Sequence, residues 1–343
     1  MILSFRWYGA SDPVRLDQIA QIPGLKGIVT ALHDIGTGEM WPAEAIEARR
    51  EAVEAAGLRW EVVESLNIHE DIKLGRDSRE AFLDAYCISL ENLGAAQIPV
   101  VCYNFMPVFD WMRTNLAFDL PDGSKTLAFA QSELEAIDLS LGASGLPGWG
   151  EAFSSDQLAE LLEAYRGFDA ETLWESYAYF LERVVPVAAS AGVKMAIHPA
   201  DPPWSIFGLP RIIVDESALE RLLRIVDHPA NGITFCTGSL VANPENDLPK
   251  MIRRFGDRIH FAHCRNVKVT GPKQFHEVAH PSENGNVDML EVMKAYRDVG
   301  FDGPVRPDHG RMIWEETGLA GYGLYDRALG ATYLQGLWEG VGK

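Results

Sequence analysis

Cysteine is scarce in this 343-residue chain: Cys87, Cys102, Cys236 and Cys264 are all it has, with no Cys-x-x-Cys pair among them. So few in so long a chain do not build a disulfide framework. Cationic side chains are also short, 30 Lys and Arg against 49 Asp and Glu, giving a formal net charge of −19 and a pI near 4.9. That balance argues against a nucleic-acid partner, because binding a polyanion draws on clustered Lys and Arg. An anionic small molecule is still compatible, provided a metal or a local arginine cluster reverses the field inside a site. No apolar run is long enough to span a membrane. The opening MILSFRWYGASDPVRL lacks the basic flank and long apolar core of a secretory signal. A soluble cytoplasmic protein is the expectation.

Apolar residues make up 47% of the chain, enough for a large core, and they fall into short runs. Segments 2–8, 27–32, 60–66, 98–105, 193–198, 232–237, 258–262 and 304–307 read as strands. Helical spacing fills most of the intervals between them, and Gly57, Gly94, Gly192 and Gly300 mark joints from helix to strand. Eight strands alternating with helices predict an α/β fold, a single (β/α)8 TIM barrel over residues 1–343. A dinucleotide-binding sheet would want a GxGxxG turn after the first strand, and Gly9-Ala10-Ser11-Asp12 does not supply one. Between residues 106 and 168, after strand four, the alternation breaks into an aromatic-rich piece and a Gly/Pro-rich one around Gly142 to Gly150. A stretch that long reads as an insertion with a function, such as a lid.

Barrel enzymes build their sites from the loops after the strands, so residues at strand C-termini converge in space. His198, Cys236, His263 and Asp308 end strands five to eight, each about one β/α unit from the next. Imidazole, thiolate and carboxylate all bind divalent transition metals. Singly, each has a plain structural explanation, since a free cysteine is most often a small buried apolar residue. Four such groups at four successive strand ends make a metal site the stronger reading. Softness leaves the metal open: the thiolate and imidazoles suit zinc, the carboxylate suits manganese or ferrous iron. His260 reads as a partner facing the barrel or its helices, His228, His276 and His280 as loop residues, and Trp174, Tyr177 and Phe180 as core. His69 and Asn104, just above strands three and four, are candidate substrate contacts.

Several long motifs in order, MILSFRWYG, VVESLNIHEDIKLG, YNFMPVFDWMRT, KMAIHPADPPW, FCTGSL, HCRNV, RPDHGR and GYGLYDRALG, resemble the mannonate dehydratase family, hydro-lyases of hexuronate catabolism. The resemblance spans nearly the whole chain. It implies a xylose-isomerase-like barrel holding manganese or ferrous iron and converting D-mannonate to 2-keto-3-deoxy-D-gluconate and water. It also implies His198, Cys236, His263 and Asp308 as metal ligands and a catalytic tyrosine after RPDHGR, with Tyr322 preferred over Tyr325.

Removing a C2 proton beside a carboxylate and expelling the C3 hydroxide both require charge stabilisation, which a metal and an acid/base pair can supply. His309 and Tyr322 are assigned that pair, with Asp308 shared between metal and proton transfer. Arg311 and Arg265 are assigned the substrate carboxylate, held in bidentate fashion. Another metal-dependent isomerase or epimerase on the same barrel is the nearest alternative, although such enzymes lean on several carboxylate ligands. A non-catalytic sugar-acid binding protein is the other, opposed by His309, Tyr322 and Tyr325 beside the ligands. A homodimer is expected from the commonness of twofold assemblies.

Overall fold

In a computed structural model, residues 1–139, 146–148 and 154–342 are described. Among these described residues twelve strands lie in chain order: β1 (Ile2–Arg6), β2 (Gly27–Thr30), β3 (Arg59–Glu64), β4 (Val100–Tyr103), β5 (Asn115–Asp119), β6 (Lys125–Ala130), β7 (Lys194–Ile197), β8 (Asn231–Cys236), β9 (Ile259–His263), β10 (Asn266–Gly271), β11 (Gln274–Val278) and β12 (Pro304–Arg306). Eight of them close a parallel barrel in the order β1-β12-β9-β8-β7-β4-β3-β2. These eight coincide with the segments read from the sequence.

Alternation along each strand sorts the side chains. Val29, Val62, Val100, Cys102, Ala196 and Phe261 turn inward and fill the barrel. Their neighbours, such as Ile28, Val63, Val101, Met195 and Ala262, pack outward against the helices in the main core. The helix Ala170–Ala191 shows how local chemistry sets these elements. The Asp169 side chain caps its start by accepting from the Thr172 N–H at 2.8 Å, and Gly192, at φ 72°, stops it in a left-handed turn. Trp174, Tyr177 and Phe180 lie on its buried face, as their spacing predicted.

The remaining four strands form an antiparallel sheet, β10-β11-β6-β5. One hairpin, β5–β6, comes from the 106–168 stretch. The other, β10–β11, follows β9 and was read only as loop. The two join through β6 and β11, with Phe129 opposite Phe275 and their rings stacked 5.8 Å apart. Beneath them is a separate apolar cluster that includes Phe109, Met112, Leu134, Leu158 and Val267. The Gly142 to Gly150 segment lies outside the described residues except for 146–148.

Candidate metal centre and active site

The ends of β7, β8 and β9 bring His198, Cys236 and His263 together, with one donor atom from each within 4.8 Å of the others. His198 Nδ1 lies 2.7 Å from the Pro199 carbonyl, which turns Nε2 toward His263 Nδ1 at 3.2 Å. Burial alone would raise the Cys236 thiol. Arg265, His198 and His263 outweigh it and hold the group well below the usual thiol range, so it stands as thiolate, the form that binds metals. Burial likewise opposes a charge on His198, but the Cys236 sulfur and nearby carboxylates raise it to about 9. Asp308, two residues past β12, places Oδ2 3.7 Å from both Cys236 Sγ and His263 Nδ1. Its φ of 65° is one that non-glycine residues rarely adopt, and bends the backbone at this point. Two imidazoles, a thiolate and an adjoining carboxylate fit a divalent transition metal.

Around these groups lies a buried ionic network. Arg306 Nη2 reaches Glu64 at 2.9 Å and Asp308 at 2.8 Å, and its Nε lies 3.0 Å from His263 Nε2. Glu64 ends β3, lies 3.5 Å from His263 Nε2, and pairs with Arg6 at 3.1 Å. Burial pushes the Glu64 carboxyl up, but Arg306, His263 and Arg6 hold it well below the usual range. A carboxylate behind a metal-binding imidazole fixes the ring's orientation and tautomer.

On the other side, Arg265 pairs with Asp201 at 2.7 Å, with Glu277, and with Asp308 at 2.9 Å. Arg113 closes this set, bonding both oxygens of Asp201 at 2.8 and 2.9 Å and Glu277 at 2.7 Å. Burial again opposes the charge on Glu277, yet His309, Arg265 and Arg113 lower it to about 2.

His309 connects the network to the opening. Its Nδ1 lies 2.8 Å from Glu277 and its Nε2 2.8 Å from the Tyr322 hydroxyl. The Tyr322 ring meets Tyr8 edge-on at 5.0 Å, and Trp111 stands edge-on to His309 at 6.1 Å. Tyr325 lies elsewhere: it is exposed at the start of the last helix, Tyr325–Val341, with its ring 5.6 Å from Trp314. Tyr322 by contrast faces the chamber, and burial holds its hydroxyl well above its ordinary value.

The arginine clamp read from the sequence needs correction. Arg311 turns away from the chamber to Asp326 at 2.8 Å and Asp122 at 2.7 Å. Arg265 is taken up by Asp201, Glu277 and Asp308. Both guanidinium groups are committed to carboxylates of the chain itself. His69 is also displaced from the chamber: it caps the helix Glu70–Lys73 through Nδ1 and stacks on Phe82 at 3.6 Å. His280, read as a loop residue, is buried, with Nε2 2.7 Å from the Pro307 carbonyl directly beneath Asp308. Sequence reasoning missed Glu64, Asp201, Glu277, Arg113, Tyr8 and Trp111, and passed over Arg306 inside the motif it singled out. Glu64 alone carried a usable signal, as the polar end of a valine-rich strand.

Three cavities meet here. A chamber of about 70 Å³ is lined by Glu64, His198, Asp201, Asp308, His309 and Tyr322, with Asn104 and Trp111 at its edge. A polar cavity of about 470 Å³ adjoins it through Glu64, Trp111 and Tyr322 and runs past Tyr8 and His33. A third, about 440 Å³, extends from Asn104 toward His69 and the helix Ser155–Ala164.

A closed parallel barrel with a donor cluster at its C-terminal mouth places the protein among the xylose-isomerase-like barrels. A xylose isomerase domain protein from Planctomyces limnophilus shares that fold at a TM-score of 0.56 over 99% of this chain and 98% of its own, with 12% identity. The family model for D-mannonate dehydratase (UxuA) matches residues 1–343. A mannonate dehydratase of Thermotoga petrophila is 56% identical over 355 residues, covering 100% of this chain and 98% of the relative. The crystal structure of mannonate dehydratase from Streptococcus suis serotype 2 superposes at a TM-score of 0.93 with 48% identity, over 99% of this chain and 95% of that one. The chain belongs to the D-mannonate dehydratase family, and is a hydro-lyase.

Proposed function

We propose that the chamber dehydrates D-mannonate to 2-keto-3-deoxy-D-gluconate, with His309 and Tyr322 moving the proton. The observation that carries this reading is the continuous relay Glu277–His309–Tyr322, two 2.8 Å contacts long, at the edge of the His198/Cys236/His263 cluster. Manganese or ferrous iron held by His198, Cys236 and His263, with Asp308 alongside, would supply Lewis acidity for the charge that develops next to the substrate carboxylate.

Glu277 accepts the Nδ1–H of His309, which leaves Nε2 as the basic nitrogen. His309 takes the C2 proton on Nε2. Tyr322, kept protonated by burial, donates its proton to the C3 hydroxyl as the C3–O bond breaks, and water leaves. Nε2–H then returns the proton to the tyrosine oxygen across their hydrogen bond. The enol so formed gives up its C2 hydroxyl proton to water and takes one up at C3, becoming the 2-keto acid. Trp111 walls the chamber beside His309 and limits water around the reacting carbons, and Tyr8 meets Tyr322 from the adjoining polar cavity.

Metal-stripped protein assayed anaerobically with D-mannonate, with manganese, ferrous iron, zinc or magnesium added back, tests the reading. Turnover restored by manganese or ferrous iron is the expected outcome. Folded, metal-loaded protein without turnover would overturn it and favour an isomerase or a sugar-acid binder. A homodimer and a cytoplasmic setting belong to the same reading. Light scattering on the purified chain decides the first.

A further inference from the structure

Asp110 takes no part in the proton relay, yet it lines all three cavities at the mouth, the only one of the described residues in common to the three. Its backbone is held from two directions. Arg211 Nη1 donates to the Asp110 carbonyl at 3.1 Å, and two residues earlier the Val108 N–H is shared by both Glu70 oxygens, each at 3.3 Å. Glu70 in turn accepts from Lys73 Nζ at 2.6 Å and from the Tyr165 hydroxyl at 2.5 Å, which ties the two ends of the insertion together. Val108 has φ 61°, a conformation strained for a β-branched residue, and such strain persists only where surrounding contacts enforce it. The turn therefore fixes where residue 110 stands.

The side chain is only partly satisfied. Oδ1 accepts the Trp111 N–H at 2.7 Å, and Oδ2 receives a long contact from Asn104 Nδ2 at 3.4 Å. An ionised carboxylate offers about four acceptor positions, so two fixed donors leave the others for a ligand. A sugar acid reacting at C2 and C3 beside His309 in a chamber of about 70 Å³ extends its remaining hydroxyl groups outward past Asp110, which borders both larger cavities. We infer that Asp110 is the specificity-determining residue of the site, accepting hydrogen bonds from substrate hydroxyls beyond the reacting pair, with Asn104 orienting it. This rests on the dehydratase reading above. A site built to bond a hydroxyl rejects analogues that lack it far more strongly than an apolar pocket rejects a missing methylene, since its polar groups are then left unpaired.

The test compares D-mannonate with D-lyxonate, which keeps the configuration of the three carbons next to the carboxylate but is one CHOH unit shorter. kcat/KM for both acids is measured on manganese-loaded wild type, Asp110→Asn and Asp110→Ser; where the shorter acid is not turned over, its inhibition constant replaces it. The expected result is a wild-type preference for the longer acid that shrinks about tenfold or more in both variants, chiefly through KM for D-mannonate. A preference unchanged in the variants, with D-mannonate still turned over, overturns this inference alone. Wild type that fails to turn over D-mannonate overturns the dehydratase reading and this inference with it. Should Asp110→Asn not fold, the same ratio read on Asp110→Ser decides the matter.

Discussion

The two halves of the barrel mouth are built on opposite principles. Behind β7, β8, β9 and β12 the side chains are charged, buried and bonded to one another, leaving a chamber of about 70 Å³. Above β1 to β4 the rim is open, with about 470 and 440 Å³ of space, and among the described residues only Arg6 and Glu64 from β1 and β3 reach across into the charged network. A group whose charge state must be held needs a dry, fully partnered surround, because an effective dielectric far below that of water strengthens every pair. A group that reads a substrate needs spare bonding capacity. On the proposed reading, chemistry accordingly belongs to the closed half and selection to the open one.

The largest effects should come from the closed half. Tyr322→Phe and His309→Asn should each lower kcat about 10²- to 10⁴-fold, the usual reach of a positioned acid or base. Tyr325→Phe should leave kcat unchanged; the reverse pattern in steady-state assays would move the role to Tyr325. Glu277→Ala leaves Arg113, Arg265 and His309 short of a buried partner, so it should cost about 3–5 kcal/mol of folding stability, read by denaturant titration.

Glu64→Gln keeps the shape but loses the charge behind His263, and metal affinity measured by calorimetry should fall about 10- to 100-fold. An affinity equal to wild type would mean that Glu64 does not orient the ring. His69→Gln, on the open half, should change kcat little. If it abolished turnover, the division between the halves would fail.

Stability against pH offers a finer probe. His260 faces outward from β9 and burial lowers it to about 4 from an ordinary 6.5, so the unfolded chain binds its proton first. Its contribution is complete above pH 6.5 and is lost as pH falls toward 4. Glu277, lowered to about 2 from 4.5, gives a contribution present above pH 4.5 and lost toward 2. Melting temperatures should therefore decline as pH falls below 6.5 and again below 4.5, and His260→Gln should make the first decline shallower, with His33, which burial lowers to about 3, still contributing to it.

Much of the closed half was legible in the chain itself. His198, Cys236, His263 and Asp308 each follow a short apolar run, and the barrel's periodicity brings such ends together whatever lies between them. Tyr322 was separable from Tyr325 only by resemblance, because their difference is one of burial, which a Gly-Tyr-Gly-Leu-Tyr string does not display. The carboxylates and arginines of the network left little trace. Arg113 finds Asp201 and Glu277 across 88 and 164 residues, and Glu64 finds Arg306 across 242. No local pattern encodes such partners. The β10–β11 hairpin was missed for a related reason: its pairing surface, β6, comes from a distant insertion, so neither strand carries a complete signal of its own.

The β6–β11 ladder binds the loop after β4 to the loop after β9, with Ala130 opposite Gln274 and Ala128 opposite His276. Neither loop can swing away without breaking main-chain hydrogen bonds to the other. Among the described residues, the open cavities at the mouth lie away from that ladder, on the side of Tyr8, Thr37 and Asn67, so the paired loops act as a fixed back wall to the site.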